Sequence, residues 1–297
     1  MATTRGPGDG RIAAAGIALL SGLPLLAALA AIAEFAHRLG SLWLILLPLV
    51  VVGVIWFGLG AYTDHLVRQS RYDHALKLVP LVAMSGAGRR YLRGHVLTHA
   101  GRYEEAEGML RETIDHPGSL KVDFVLALED LGNILLDTGC FEEAQRCFKE
   151  ADDILPNRSP SATGVAEVLL RQGICPQNAL RHAETALSSF LGSTERISDG
   201  WRLGAILATK AWALAACDHR AEAREAIDMA LKSSARKTKG PLAQVHYKVG
   251  MSLLLLSDAS SAKRHFAHGA QLDPSGRWGR LCTRALQAQS AQGAVGG

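Results

Sequence analysis

The sequence carries no Gly-X-Ser-X-Gly nucleophile motif, no phosphate-binding loop and no dinucleotide-binding glycine fingerprint. Those motifs bring backbone or a nucleophile close to a substrate, so their absence leaves hydrolysis, nucleotide chemistry and hydride transfer without a carrier. Cysteine is scarce and odd in number: Cys140, Cys147, Cys175, Cys217 and Cys282, with no Cys-X-X-Cys pair. A disulfide framework and a cysteine zinc cage both fit poorly, and a reduced compartment is the simpler reading. Charge of one sign is also in short supply. The net charge of +4 is too small to imply nucleic acid. No enzyme activity, cofactor or nucleic-acid partner is expected.

Charge is unevenly placed, however. From Glu104 to Asp153 there are fourteen acidic and four basic side chains, and from Lys232 to Arg284 ten basic and two acidic. The chain should have an acidic middle and a basic end. Lys232, Arg236, Lys237 and Lys239 read as a solvated basic linker. The runs Asp152-Asp153 and Glu104 to Glu107 read as solvated helix faces.

The hydrophobic fraction of 48% has its excess in the first sixty residues. Twenty-two residues without a charge separate Arg11 from Glu34, and twenty-five separate Arg38 from Asp64. Each exceeds the ~20 residues that cross a bilayer as a helix. The second run is rich in Leu, Val and Ile, with Trp43, Trp56 and Tyr62 placed as interface anchors. Two transmembrane helices, about 12–33 and 41–62, are expected to form a helical hairpin within 12–63, after a tail over 1–11. The first run also has signal-peptide features, with small residues and a cleavage site near Ala33. Only Arg38 lies in the hairpin loop, against Arg5 and Arg11 before it and Arg68, Arg71, Lys77, Arg89, Arg90 and Arg93 after it. The positive-inside rule then puts both termini in the cytoplasm of a bacterial-type inner membrane.

Downstream, Val125 to Pro156 reads as two antiparallel helices with a tight turn at Gly139–Cys140. Leu128, Leu131, Gly132 and Leu135 mark one face of the first helix. Phe141, Ala144, Phe148 and Ala151 mark one face of the second, which Pro156 ends. This run resembles the tetratricopeptide repeat, in which small residues let paired helices approach and the turn glycine takes a left-handed conformation. One pair cannot bury its own apolar face, so repetition is expected.

Repetition is present. Tyr72, Ala75 and Val79 fit a second helix whose partner would fall on Gly60 to Val67. Arg89 to Asp115 has Gly94, Gly101, Tyr103, Ala106 and Leu110 in register, and HPGSLKV adds about four residues after it. Ser161 to Leu187 has Ala166 in the glycine's place and a one-residue slip at Pro176. Gly204 to Leu231 carries Asp218 in place of the turn glycine, after LGSTERISDG, a candidate hinge. Ala243 to Pro274 recovers the pattern with Gly250 and Phe266. From Gly276 an amphipathic helix bearing Trp278, Leu281, Cys282 and Ala285 is the candidate cap. The fold expected is all-α: the transmembrane hairpin, then over 64–289 a tetratricopeptide-type α-solenoid of five to six helical pairs with a capping helix. A disordered tail is expected over 290–297.

The resemblance implies a protein-binding scaffold with the first helix of each pair on the concave surface. Ligand-facing residues then fall ten, six and two positions before each turn. They are Tyr91, His95 and His99; Glu129, Asn133 and Asp137; Thr163, Glu167 and Arg171; Ala208, Trp212 and Ala216; and Tyr247, Met251 and Leu255. Such a groove suits an extended or helical peptide with basic and apolar side chains. Asn133 matches one position of the carboxylate grip some family members use, but Glu129 stands where that grip needs lysine. His95 and His99 are spaced for a two-histidine metal site. The run HVLTH lacks the zincin glutamate and no third ligand is fixed by sequence, so groove lining is preferred and no metal is expected. The function expected is that of a membrane-anchored adaptor docking a partner peptide. The alternatives are an envelope-assembly scaffold outside the cytoplasm and a metal-dependent enzyme centred on the two histidines.

Overall fold

A computed structural model describes residue 34 and residues 43–82, 86–116, 120–193, 202–234 and 238–295. The chain divides into two compact units, Met1–Gly58 and Leu59–Gly297. The expected first transmembrane helix, its cleavage site and the hairpin loop lie outside the described residues, as does most of the candidate hinge. In the first unit the described helix is α1 (Trp43–Arg68), whose residues from Leu59 onward belong to the second unit. Among the described residues it is the one helix long and apolar enough to cross a membrane by length and composition, over Leu47–Arg68.

The second unit is a run of helical pairs. The end of α1 pairs with α2 (Tyr72–Val82), where Leu66, Val67, Tyr72, Ala75 and Val79 form one apolar cluster with Val96. Five full pairs follow among the described residues. They are α3 (Gly86–His99) with α4 (Tyr103–Ile114), α5 (Lys121–Thr138) with α6 (Phe141–Ile154), and α7 (Ser159–Gln172) with α8 (Pro176–Gly192). Then come α9 (Arg202–Ala216) with α10 (Arg220–Ser234), and α11 (Lys239–Leu255) with α12 (Ala259–Leu272). The last described helix is α13 (Arg277–Val295), which continues past Gln289 into the stretch expected to be disordered.

The turns behave as their residues dictate. Gly139 sits at φ 88°, a left-handed conformation that costs glycine nothing. Where glycine is missing, Asp218 takes φ 61°, and aspartate is among the residues that tolerate that region. The slip at Pro176 is an extra turn residue, Cys175, also left-handed at φ 47°, before the proline that opens α8. Asp258 caps α12 by accepting the Ser261 N–H at 3.0 Å.

Packing between pairs turns on aromatic knobs. The Phe148 ring is 1% exposed. It lies over Gly132 on its own pair and Gly164 on the next, so a Cβ at these glycines would stand 2.9 Å and 2.5 Å from ring carbons. Gly164, which the repeat pattern passed over in favour of Ala166, is the residue that admits the knob.

The solenoid also closes on itself. Tyr72 in the first pair donates to Asp273, 201 residues away, at 2.8 Å. Arg280 of α13 donates to the Ala100 carbonyl, and Arg277 donates to Asp137. The helix expected as an outer cap thus buries its first turns: Arg277, Trp278, Leu281 and Cys282 are all inside. The physical reason is that α13 offers an indole, aliphatic residues and a guanidinium, and the concave side offers apolar surface and a buried carboxylate.

Beneath α13, His246 meets His265 at 2.8 Å between Nδ1 atoms and stacks against His268 at 4.4 Å between centroids. Burial, then the neighbouring imidazoles, depress His246 to about 3 from an ordinary 6.5. Below pH 6.5 the unfolded chain takes up a proton that the folded chain refuses, so stability falls with pH and the loss is complete near pH 3. His246→Gln should flatten that fall between about pH 6.5 and pH 4, read by urea unfolding at several pH values. An unchanged slope would contradict the assignment.

Candidate functional site: the central chamber

The first helix of each pair does face the concave side, but closure by α13 turns an expected open groove into a chamber of about 500 Å³. Seven of the fifteen residues expected to face a ligand line it: Tyr91, His95, His99, Glu129, Asn133, Thr163 and Glu167. They come together because offsets of four keep residues on one face of a helix. The other eight do not line it: Ala208 lies in the main core, Ala216 is half-buried against it and Leu255 is exposed. Asp137 and Arg171 are locked in an ion-pair cluster under α13, and Met251 is half-buried against the main core. Trp212 is 2% exposed and meets Tyr247 edge-on at 6.3 Å between centroids. Tyr247 in turn packs against Trp278, at 5.8 Å, and the Arg171 guanidinium, at 5.5 Å. Trp212 and Tyr247 are therefore core residues rather than exposed anchors, since α11 and α13 cover them.

Much of the chamber wall is already paired. Glu129 accepts both arms of Arg158, at 3.0 and 3.1 Å, and the Ser161 hydroxyl at 2.9 Å. Glu167 holds the fully buried Lys248 at 2.5 Å, and Lys248 also donates to the Thr209 hydroxyl at 2.8 Å. Burial pulls the Lys248 ammonium below its ordinary value despite Glu167. The Glu167 Oε2 atom has no hydrogen-bond partner.

Beside Glu129 on α5, Asp130 Oδ2 lies 2.7 Å from His95 Nδ1. Burial lowers the imidazole, but the Asp130 charge and hydrogen bond prevail and hold it above 6.5. One turn on, burial and the His95 charge push His99 down to about 3, so it is a neutral donor. Asp130, Arg158, Arg202 and Arg277 also line the chamber. The offset rule missed all four, although Asp130 directly follows Glu129 on a helix whose buried face is broad.

No protein-family profile and no curated protein matches the sequence. Among solved structures, the chain is similar to one in the APC/C hetero-tetramer Cut9–Hcn1, at 15% identity over 77% of this chain and 46% of that one, with a TM-score of 0.53. It is also similar to a tetratricopeptide repeat protein from Parabacteroides merdae, at 14% identity over 78% and 83%, TM-score 0.49. A third is a thermophilic TPR protein in Thermus thermophilus, at 17% identity over 71% and 100%, TM-score 0.48. With its paired helices, glycine turns and concave face of first helices, the repeat unit has the fold of a tetratricopeptide-type α-solenoid.

Proposed function

We propose that the chain is a membrane-anchored protein-interaction scaffold that seats a short segment of a partner in the central chamber. The observation that carries this reading is the chamber itself: a concave, mixed-charge space with an aromatic wall, built from five successive first helices. Its volume accommodates a few residues and not a helix of several turns, so the segment is a chain end or loop tip. This narrows the extended or helical peptide that an open groove would take. The function is positional, with no bond made or broken.

The anchor is read from α1. Leu49, Val52 and Ile55 are each more than half exposed on it, and such a row suits lipid better than water. The lysine and arginine excess after α1 favours a cytoplasmic repeat unit in a bacterial-type inner membrane.

Both parts are tested in one preparation of native membranes. A photo-crosslinking amino acid at Gln244, which lines the chamber, should yield a partner adduct that Thr163→Tyr, a chamber-filling change, removes. The exposed Cys140 and Cys175 should react with an impermeant maleimide only after the membrane is opened. An adduct indifferent to Thr163→Tyr would place docking elsewhere. Labelling of intact cells would reverse the orientation.

A further inference from the structure

We propose that His95, His99 and Asp130 form a binding site for a divalent transition-metal ion, with an open coordination position facing the chamber. The inference does not depend on peptide docking. His95 and His99 are successive-turn neighbours on α3, their rings 4.7 Å apart between centroids and close to edge-on at 70°. The next first helix, α5, supplies the third ligand that sequence spacing could not fix. One donor atom from each residue can be chosen so that all three lie within 4.8 Å of one another. Ligands of one tetrahedral ion, with bonds of about 2.0–2.2 Å, stand about 3.3 Å apart, so modest side-chain rotation closes the set on a metal.

The donor chemistry suits such an ion. Two imidazoles and one carboxylate are the ligands of open zinc and non-haem iron(II) sites, whereas magnesium and calcium prefer oxygen alone. His99 presents a second imidazole one turn from His95, beside the chamber. The metal takes the place of the proton held between His95 Nδ1 and Asp130, and that proton leaves to solvent. Asp130 and Asp64 bring negative charge to His95, while Arg202 brings positive charge. The chamber leaves room for a fourth ligand, water or a carboxylate.

The test is cobalt(II) titration of the purified full-length chain in detergent, with zinc competition. One cobalt per chain should bind with the intense visible bands of a low-coordinate ion, and zinc should displace it. His99→Gln and Asp130→Asn keep side-chain volume. Each should weaken binding by more than the ~10–100-fold typical of losing an outer-shell partner. His246→Gln, in the separate histidine cluster, should leave binding unchanged. Zinc should also raise the unfolding midpoint of the wild-type chain and not of the two ligand variants. Absence of saturable binding by the wild-type chain would overturn the proposal. So would full binding in folded His99→Gln and Asp130→Asn, or loss in His246→Gln alone.

Discussion

Asp137→Ala should destabilise the repeat unit by about 3–5 kcal/mol, the usual cost of stranding a buried charge. The Asp137 side chain is fully buried. It accepts from Tyr103 at 2.6 Å, from Arg277 Nε at 2.5 Å and from a second Arg277 nitrogen at 3.1 Å, while Arg171 stands at 3.0 Å. Burial would push this carboxyl up, but Arg277 and then Arg171 hold it below the usual carboxylate range. Removing it leaves two guanidiniums inside the protein without their shared counter-charge. The same change releases α13 from the concave side, so amide exchange should accelerate over the first turns of α13 before the rest of the unit unfolds. Replacing Asp137, Arg171 and Arg277 together by Leu, Met and Met should recover most of the loss. Urea unfolding reads the stability. A loss under about 1 kcal/mol would mean that the cluster behaves as a solvated surface pair.

The second large effect is expected at the aromatic knob. Phe148→Ala should cost about 3–5 kcal/mol, as the ring leaves a cavity between two helical pairs. Gly164→Ala should cost about 1–3 kcal/mol, because its Cβ would stand 2.5 Å from a ring that Gly132 blocks from behind. The two changes should not add. With the ring gone, the new methyl occupies part of the vacated space, and a coupling of about 0.5–3 kcal/mol in the favourable direction is expected. Strict additivity in a double-mutant cycle would show that the ring does not rest on Gly164.

These two sites also mark how far the sequence could be read. The helical pairs were legible because their determinants are local: apolar residues at helical spacing, a turn glycine such as Gly139, and an aromatic such as Phe148 seven residues beyond the turn's Phe141. The start of the repeats at the end of α1 was legible for the same reason, with Tyr72 in the place of Phe141. Closure was not. Tyr72 and Asp273 are 201 residues apart, and Arg277 and Asp137 are 140 apart. Nothing local separates a buried arginine from a solvated one. The clue lay in the charge map, since the acidic middle and basic end that looked like two surfaces meet through Asp137 and Arg277.

The candidate site divides along the same line. His95, Glu129, Asn133 and Glu167 were found because helix period and repeat register place them together. Trp212 and Tyr247 obey that register equally well, but Tyr247 lies against Trp278 of α13 and Trp212 against Tyr247, packing that converts anchors into core. Asp130 illustrates a third limit. Its position beside His95 depends on how α3 packs against α5, and the spacing of residues within either helix does not encode it.

The claim on which the functional reading most depends is that the solenoid closes on itself around the chamber. Spin-labelled unnatural amino acids at Asp73 and Ser275, exposed neighbours of the Tyr72–Asp273 contact, report it directly in the full-length protein. A closed solenoid predicts one narrow distance population at short range. A long, broad distribution would mean an open superhelix, with a groove in place of the chamber.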